Sequence, residues 1–142
     1  MSFQSKVFEK DVHVAGVIKV NLRVSSDAED TAFTAKLMDV APDGTVINIR
    51  DSISTLSYRN DAPEPLVYTP GSFVDVLLDM WAIEWTLKEG HHLRLDVSSS
   101  NFPAYNIHSN YAGNWATQAK VKTASQTLSS GSFVSLPVVA QD

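Results

Sequence analysis

The side chains best suited to covalent or acid–base chemistry here are the run Ser98-Ser99-Ser100 and four histidines, His13, His91, His92 and His108. A serine becomes a nucleophile only when a histidine takes its proton and a carboxylate orients that histidine. No spacing ties residues 98–100 to such a pair, and there is no G-x-S-x-G nucleophile elbow, so these serines read as turn residues at a strand terminus. His91 and His92 are adjacent in or near a strand, which sends their rings to opposite faces and keeps them from sharing a metal. Asp27, Glu29 and Asp30 form an acidic loop that could gather oxygen ligands around calcium, although such loops are more often simply solvated. Trp81, Trp85, Trp115, Tyr105 and Tyr111 offer rings for stacking on a sugar, or for packing against a core or a partner. No P-loop, dinucleotide fingerprint or H-E-x-x-H is present, and no cofactor is expected.

The elements that must position these residues have a period of two. Leu93, Leu95 and Val97 oppose Arg94, Asp96 and Ser98, a half-buried strand that stops in Ser98-Ser99-Ser100-Asn101. Pro103 then makes Phe102 extended, and Phe102 with Tyr105 is expected to fold back as an aromatic plug over the core edge. Residues 11–16 read as a short lead strand and 17–25 as a longer one, with Ile18, Val20, Leu22 and Val24 inward. In residues 33–40 Phe33, Ala35 and Leu37 alternate with Thr34, Lys36 and Met38. Pro42-Asp43-Gly44 turns the chain into residues 46–50, with Ile47 and Ile49 inward. A weaker strand runs to Arg59, anchored by Leu56 and Tyr58. Pro63, Pro65 and Pro70 make residues 60–71 a crossing loop. Residues 73–80 alternate again, 81–89 read as an irregular loop or short turn, and 106–118 as a polar, aromatic loop. Strands at 119–128 and 133–139, joined through Gly131, close the chain.

About eight short strands without an amphipathic helix predict an all-β sandwich or jelly roll in one domain spanning residues 1–142. An apolar fraction of 44% and a charged fraction of 19% are those of a globular core-forming chain. No apolar run approaches a membrane span, so no membrane partner is expected. A net charge of −5 without any Lys/Arg cluster argues against unaided nucleic-acid binding. With no cysteine, disulfide and thiolate chemistry are excluded, which agrees with a cytoplasmic location.

Four segments carry a resemblance: residues 14–44 (VAGVIKVNLRVSSDAEDTAFTAKLMDVAPDG), SYRN at 57–60, GHHLRLDVSSSNFPAYNIHSN at 90–110 and SLPV at 135–138. Together they resemble the C-terminal domain of the X-Pro dipeptidyl-peptidase and cocaine esterase (CocE/NonD) family, which includes α-amino acid ester hydrolases and cephalosporin acylases. The resemblance implies a jelly roll of the galactose-binding-like type. It also implies an α/β-hydrolase domain in cis that carries the Ser-His-Asp triad, none of which is in this sequence. Where the family often has D-T-D-F this chain has Asp30-Thr31-Ala32-Phe33, and where it has G-H-R this chain has Gly90-His91-His92, which bears on any salt bridge between those loops.

The expectation is therefore a non-catalytic module, the C-terminal domain of a larger serine hydrolase, that stabilises the hydrolase domain and shapes its pocket. A carbohydrate-binding module is the alternative. Interface candidates are Leu22, Arg23, Trp81, Trp85, Phe102, Tyr105, Tyr111 and Trp115, a surface that is expected to self-associate when the hydrolase is absent.

Overall fold

A computed structural model describes every residue except 115, 116, 141 and 142. The period-two segments form strands β1 (Ser2–Gln4), β2 (Val12–Ser26), β3 (Ala32–Val40), β4 (Val46–Thr55), β5 (Val74–Leu87), β6 (His92–Ser98), β7 (Gln126–Leu128) and β8 (Phe133–Ser135). One sheet has the order β1-β6-β3-β4; in the other β5 flanks β2 on one side, and β7 and β8 pair with β2 on the other. All pairings are antiparallel. β7 lies along residues 24–26 of β2, β8 along 19–21, and an isolated bridge joins Val14 to Val138. Residues 126–138 thus act as one interrupted strand, and the second sheet is three strands wide against four in the first.

The core fills the space between the sheets, as the alternation requires. Ile18, Val20, Leu22 and Val24 from β2, Ala35 and Leu37 from β3, and Val76, Leu78 and Met80 from β5 are all essentially inaccessible. Each large side chain so buried contributes about 1.5–3 kcal/mol. β3 is covered on both faces, since Thr34 and Met38 are buried on the side opposite the core, as suits a strand held between β4 and β6.

Several expectations change. Residues 11–16 and 17–25 are not two strands but the single β2, and the polar start of the chain supplies β1. β4 runs unbroken to Thr55, with an extra residue opposite the Leu37–Met38 step. That irregularity leaves Ile49 buried and Ile47 exposed, while Tyr58, beyond the strand, is exposed as well. Residues 81–87 are strand, not loop. Two residues of β5, Met80 and Trp81, stand opposite the single Ile18 of β2, and Trp81 takes φ 67°. This bulge switches the inward positions from even (Val76, Leu78, Met80) to odd (Ile83, Trp85, Leu87), which is why the sequence period breaks there. The closing strands are shorter than expected. Gly16 has φ 133°, and a Cβ there would lie 3.2 Å from Pro137 Cβ and Cγ.

Candidate functional site: two seams and a buried anchor

A sandwich of two open sheets has two seams where strand edges meet solvent. At the first, β1 and β6 stand across from β7 and β8, and an apolar cleft of about 700 Å³ enters the core. Its floor is made by Val20, Leu22 and Leu37, and Phe3 and Phe133, both about half exposed, stand at its mouth with Ser129, Ser130 and Ser132. At the second seam, β4 faces β5 across a groove of about 520 Å³ lined by Ser52, Ser54, Asp61, Asp79, Trp81 and Tyr105.

The second seam has its strand edges tied off. Asn60 acts as a peptide group in side-chain form: its Oδ1 accepts from Leu77 N–H at 3.0 Å and its Nδ2 donates to Asp75 O at 3.2 Å. Arg50 donates to Ala82 O at 3.4 Å, and Asp79 accepts the N–H of Trp81 at 2.7 Å. Across the groove Tyr105 OH reaches Asp51 O in a long 3.5 Å contact. Burial, followed by the nearby Asp51 carboxylate, raises the Tyr105 hydroxyl above its ordinary pKa.

Asn60 is delivered to β5 by a buried polar anchor centred on Asp30, which is 3% exposed. Asp30 Oδ1 accepts from Thr31 N–H at 2.9 Å and Ser57 N–H at 3.0 Å; Oδ2 accepts from Ser57 Oγ at 2.6 Å and lies 3.5 Å from His108 Nε2. His108 Nδ1 accepts the N–H of Asn110, which assigns the ring proton to Nε2, facing Asp30. Burial would raise the Asp30 carboxyl, but the hydrogen bonds from His108 and Ser57 outweigh it and hold the group below the ordinary range. Thr31 extends the network, donating to Asn110 Oδ1 at 2.7 Å and accepting from Gln126 Nε2 at 2.6 Å. Although Asp30, His108 and Ser57 are the residue types of a hydrolytic triad, their wiring is wrong for one. Ser57 gives its hydroxyl proton to the carboxylate and His108 turns its protonated Nε2 toward the same oxygen, so no imidazole nitrogen is left to take the serine proton, and Ser57 is itself buried.

The expected site residues scatter. Leu22 is 1% exposed and faces the cleft floor from within, while its neighbour Arg23 points the other way and pairs with Asp75 at 3.1 Å, so they cannot share a surface. Trp85 turns inward, donating to the buried Asp39 at 3.0 Å, and Asp39 also holds His91 Nδ1 at 2.8 Å. Phe102 is 68% exposed and plugs nothing, whereas Trp81, 73% exposed, shares the groove with half-buried Tyr105. Tyr111 is half-buried beneath Lys122, whose Nζ is 4.5 Å from the ring centre. Trp115 lies outside the described residues. Asp27 and Glu29 are exposed, Asp27 accepting from Ser125 N–H at 2.8 Å, while Asp30 points inward; the three do not converge. Among the described residues no group of three or more acidic or histidine side chains is placed to hold a metal ion. His13 is occupied by Thr86 at 3.1 Å and Glu84 at 3.4 Å. The supposed loop-to-loop salt bridge is geometrically excluded: Ala32 and His92 pair at opposite ends of β3, eight residues and about 26 Å apart. The buried Nε2 of His92 has no hydrogen-bond partner among the described residues.

The residues that build the anchor and the Asn60 clamp fall in the DTAF, SYRN and HSN segments of the sequence, and residues 1–133 match the family model of the X-Pro dipeptidyl-peptidase C-terminal non-catalytic domain. The chain belongs to this family. Among relatives of this C-terminal domain, cocaine esterase from Rhodococcus sp. (strain MB1 Bresler) is 40% identical over 113 residues, 80% of the chain but 20% of that protein. An α-amino acid ester hydrolase structure superposes with a TM-score of 0.89 at 23% identity, covering 98% of the chain and 25% of its own. An aminopeptidase from the marine sediment archaeon Thaumarchaeota archaeon gives 0.90 at 18% identity, covering 99% and 26%. At those identities the two structures establish the fold alone, the β-sandwich. The chain spans only about a fifth to a quarter of these relatives. Sequence reasoning did not assign the anchor, although its residues were visible as motifs; what it lacked was the knowledge that Asp30 points inward.

Proposed function

We propose that the chain is the non-catalytic module of a serine hydrolase of the X-Pro dipeptidyl-peptidase and cocaine esterase type, stabilising an α/β-hydrolase domain in cis and shaping the entrance to its pocket. The parent reaction in this reading is cleavage of esters or amides, including Xaa-Pro peptides in the peptidase branch. The observation that carries it is the family match over residues 1–133, to a domain described as non-catalytic. It is supported by the wiring of Asp30, which spends its carboxylate on Ser57 and His108 instead of activating a nucleophile. A cytoplasmic setting is supported by the absence of cysteine, and no helix among the described residues is long and apolar enough to cross a membrane. Two assays test the reading. The purified chain should not turn over p-nitrophenyl acetate above the uncatalysed rate. Mixed with cocaine esterase that lacks its own corresponding region, it should form a complex and alter that enzyme's turnover or thermal stability. Ester cleavage by the isolated chain that one Ser→Ala change abolishes refutes a non-catalytic role.

A carbohydrate-binding module is a second reading, favoured by one observation: exposed Trp81 shares a groove with Tyr105, Asp61 and Asp79. Titration with a panel of oligosaccharides, followed through tryptophan fluorescence of the native chain against a Trp81→Phe variant, decides it.

A further inference from the structure

The two seams differ in a way the proposed function leaves unexplained. Edge strands invite pairing unless they are blunted. The β5 edge is blunted by Asn60, Arg50 and the bulge at Trp81. At the other seam, among the described residues, β7 and β8 pair with β2 alone and β1 pairs with β6 alone. The apolar cleft lies between these unpaired edges, where the four-stranded sheet overhangs the three-stranded one. Its floor is core: Val20, Leu22 and Leu37 are buried yet border open volume.

We propose that this cleft is a strand-acceptor site: an extended segment with alternating apolar side chains, supplied by the hydrolase polypeptide, adds to the free edge of β7 and β8 and closes the sandwich. A strand suits the site better than a globular knob or a small apolar ligand. Its backbone pairs with the edge while every second side chain, at the 2-residue period of a strand, enters the cleft. The added strand makes the second sheet four wide, facing β1. The source rests on the reading above, in which the chain works as part of a hydrolase; relatives are about four times its length, and so contain segments that it does not.

The test is amide hydrogen exchange on the full chain, alone and with two probes: cocaine esterase lacking its corresponding region, and a synthetic nine-residue peptide of alternating valine and threonine. The expected result is at least tenfold slower exchange at residues 126–135 with the esterase, and weaker slowing with the peptide. Phe3→Ser, at the cleft mouth, should reduce this protection, while Trp81→Ala, at the opposite seam, should leave it intact. If the esterase binds but protection falls on β5 and the Trp81 groove, the strand-acceptor inference is wrong and the hydrolase reading stands. If the peptide protects residues 126–135 and the esterase does not bind, the acceptor site stands and its source in a hydrolase is overturned. Protection that appears on raising the chain's own concentration, without a probe, makes a second copy the occupant and overturns the proposal. Absence of protection with both probes does the same.

Discussion

The seam between β4 and β5 and the seam between β1 and β7/β8 are built from the same materials, antiparallel edges over one core, yet end differently. In the first, side chains take the place of a neighbouring strand: Asn60 satisfies Leu77 and Asp75, and Arg50 reaches Ala82. In the second, the edges have no strand partner among the described residues, and core side chains border a 700 Å³ cleft. The difference teaches that solvent protection of a sheet edge is assigned locally, one side chain at a time, and that an unprotected edge above an apolar cleft is a feature to be accounted for.

Substitutions at four positions probe the contrast. Asp30→Ala should have the largest effect, about 3–5 kcal/mol of unfolding free energy, because it strands buried donors on Ser57, Thr31 and His108. Urea denaturation measures it, and faster exchange of the Leu77 amide should show the clamped seam opening. The pH dependence has a definite sign. Asp30 is held below its ordinary pKa, so its contribution is complete above the unfolded value near 4 and is lost as pH falls through the folded value. The stability gap between the native chain and Asp30→Asn should accordingly narrow on acidification below about pH 4.

Leu37→Ala, on the cleft floor, should cost about 2 kcal/mol, near the low end for buried leucine because the site already borders open volume. A loss as large as 5 kcal/mol would mean the cleft is closed in solution. Asn60→Ala should cost about 1 kcal/mol and leave the Leu77 amide exposed to exchange. Unchanged exchange there would remove the distinction between clamped and bare edges. Trp81→Ala, although it deletes a larger side chain than either, should change stability by no more than about 0.5 kcal/mol, as its side chain lies mostly in solvent.

Most of the sandwich was legible because its strands alternate. The inward set Ile18, Val20, Leu22 and Val24 follows directly from a period of two, and so do Leu93 and Val97. Reading failed where a bulge shifts that period. Trp81 moves β5 out of phase, so a continuous strand looks like two unrelated segments, and an extra residue in β4 separates the fates of Ile47 and Ile49. β1 was invisible because three exposed residues bury too little to leave a pattern; only its pairing with β6 defines it. For the candidate site, the aromatic residues were found but not their directions: Trp85 and Trp81 lie four apart, one turned to Asp39 and the other to solvent. The polar anchor was the least legible part, since a buried aspartate and a solvated one look alike in an acidic loop.

Gly16 illustrates how narrowly a single position can be held. Its φ of 133° lies where L-residues are strained, and a methyl group there would press on Pro137 at 3.2 Å. Gly44, at φ 86°, has nothing within 4 Å of the same added atom, so asparagine or aspartate is a tolerable replacement there. The two glycines thus have unequal mutational freedom: a library of variants should recover several residue types at 44 and glycine alone at 16. Substitution at 16 would lift residues 137–139 away from β2, making this one hydrogen-sized gap the lock that fixes the path of the chain's last stretch.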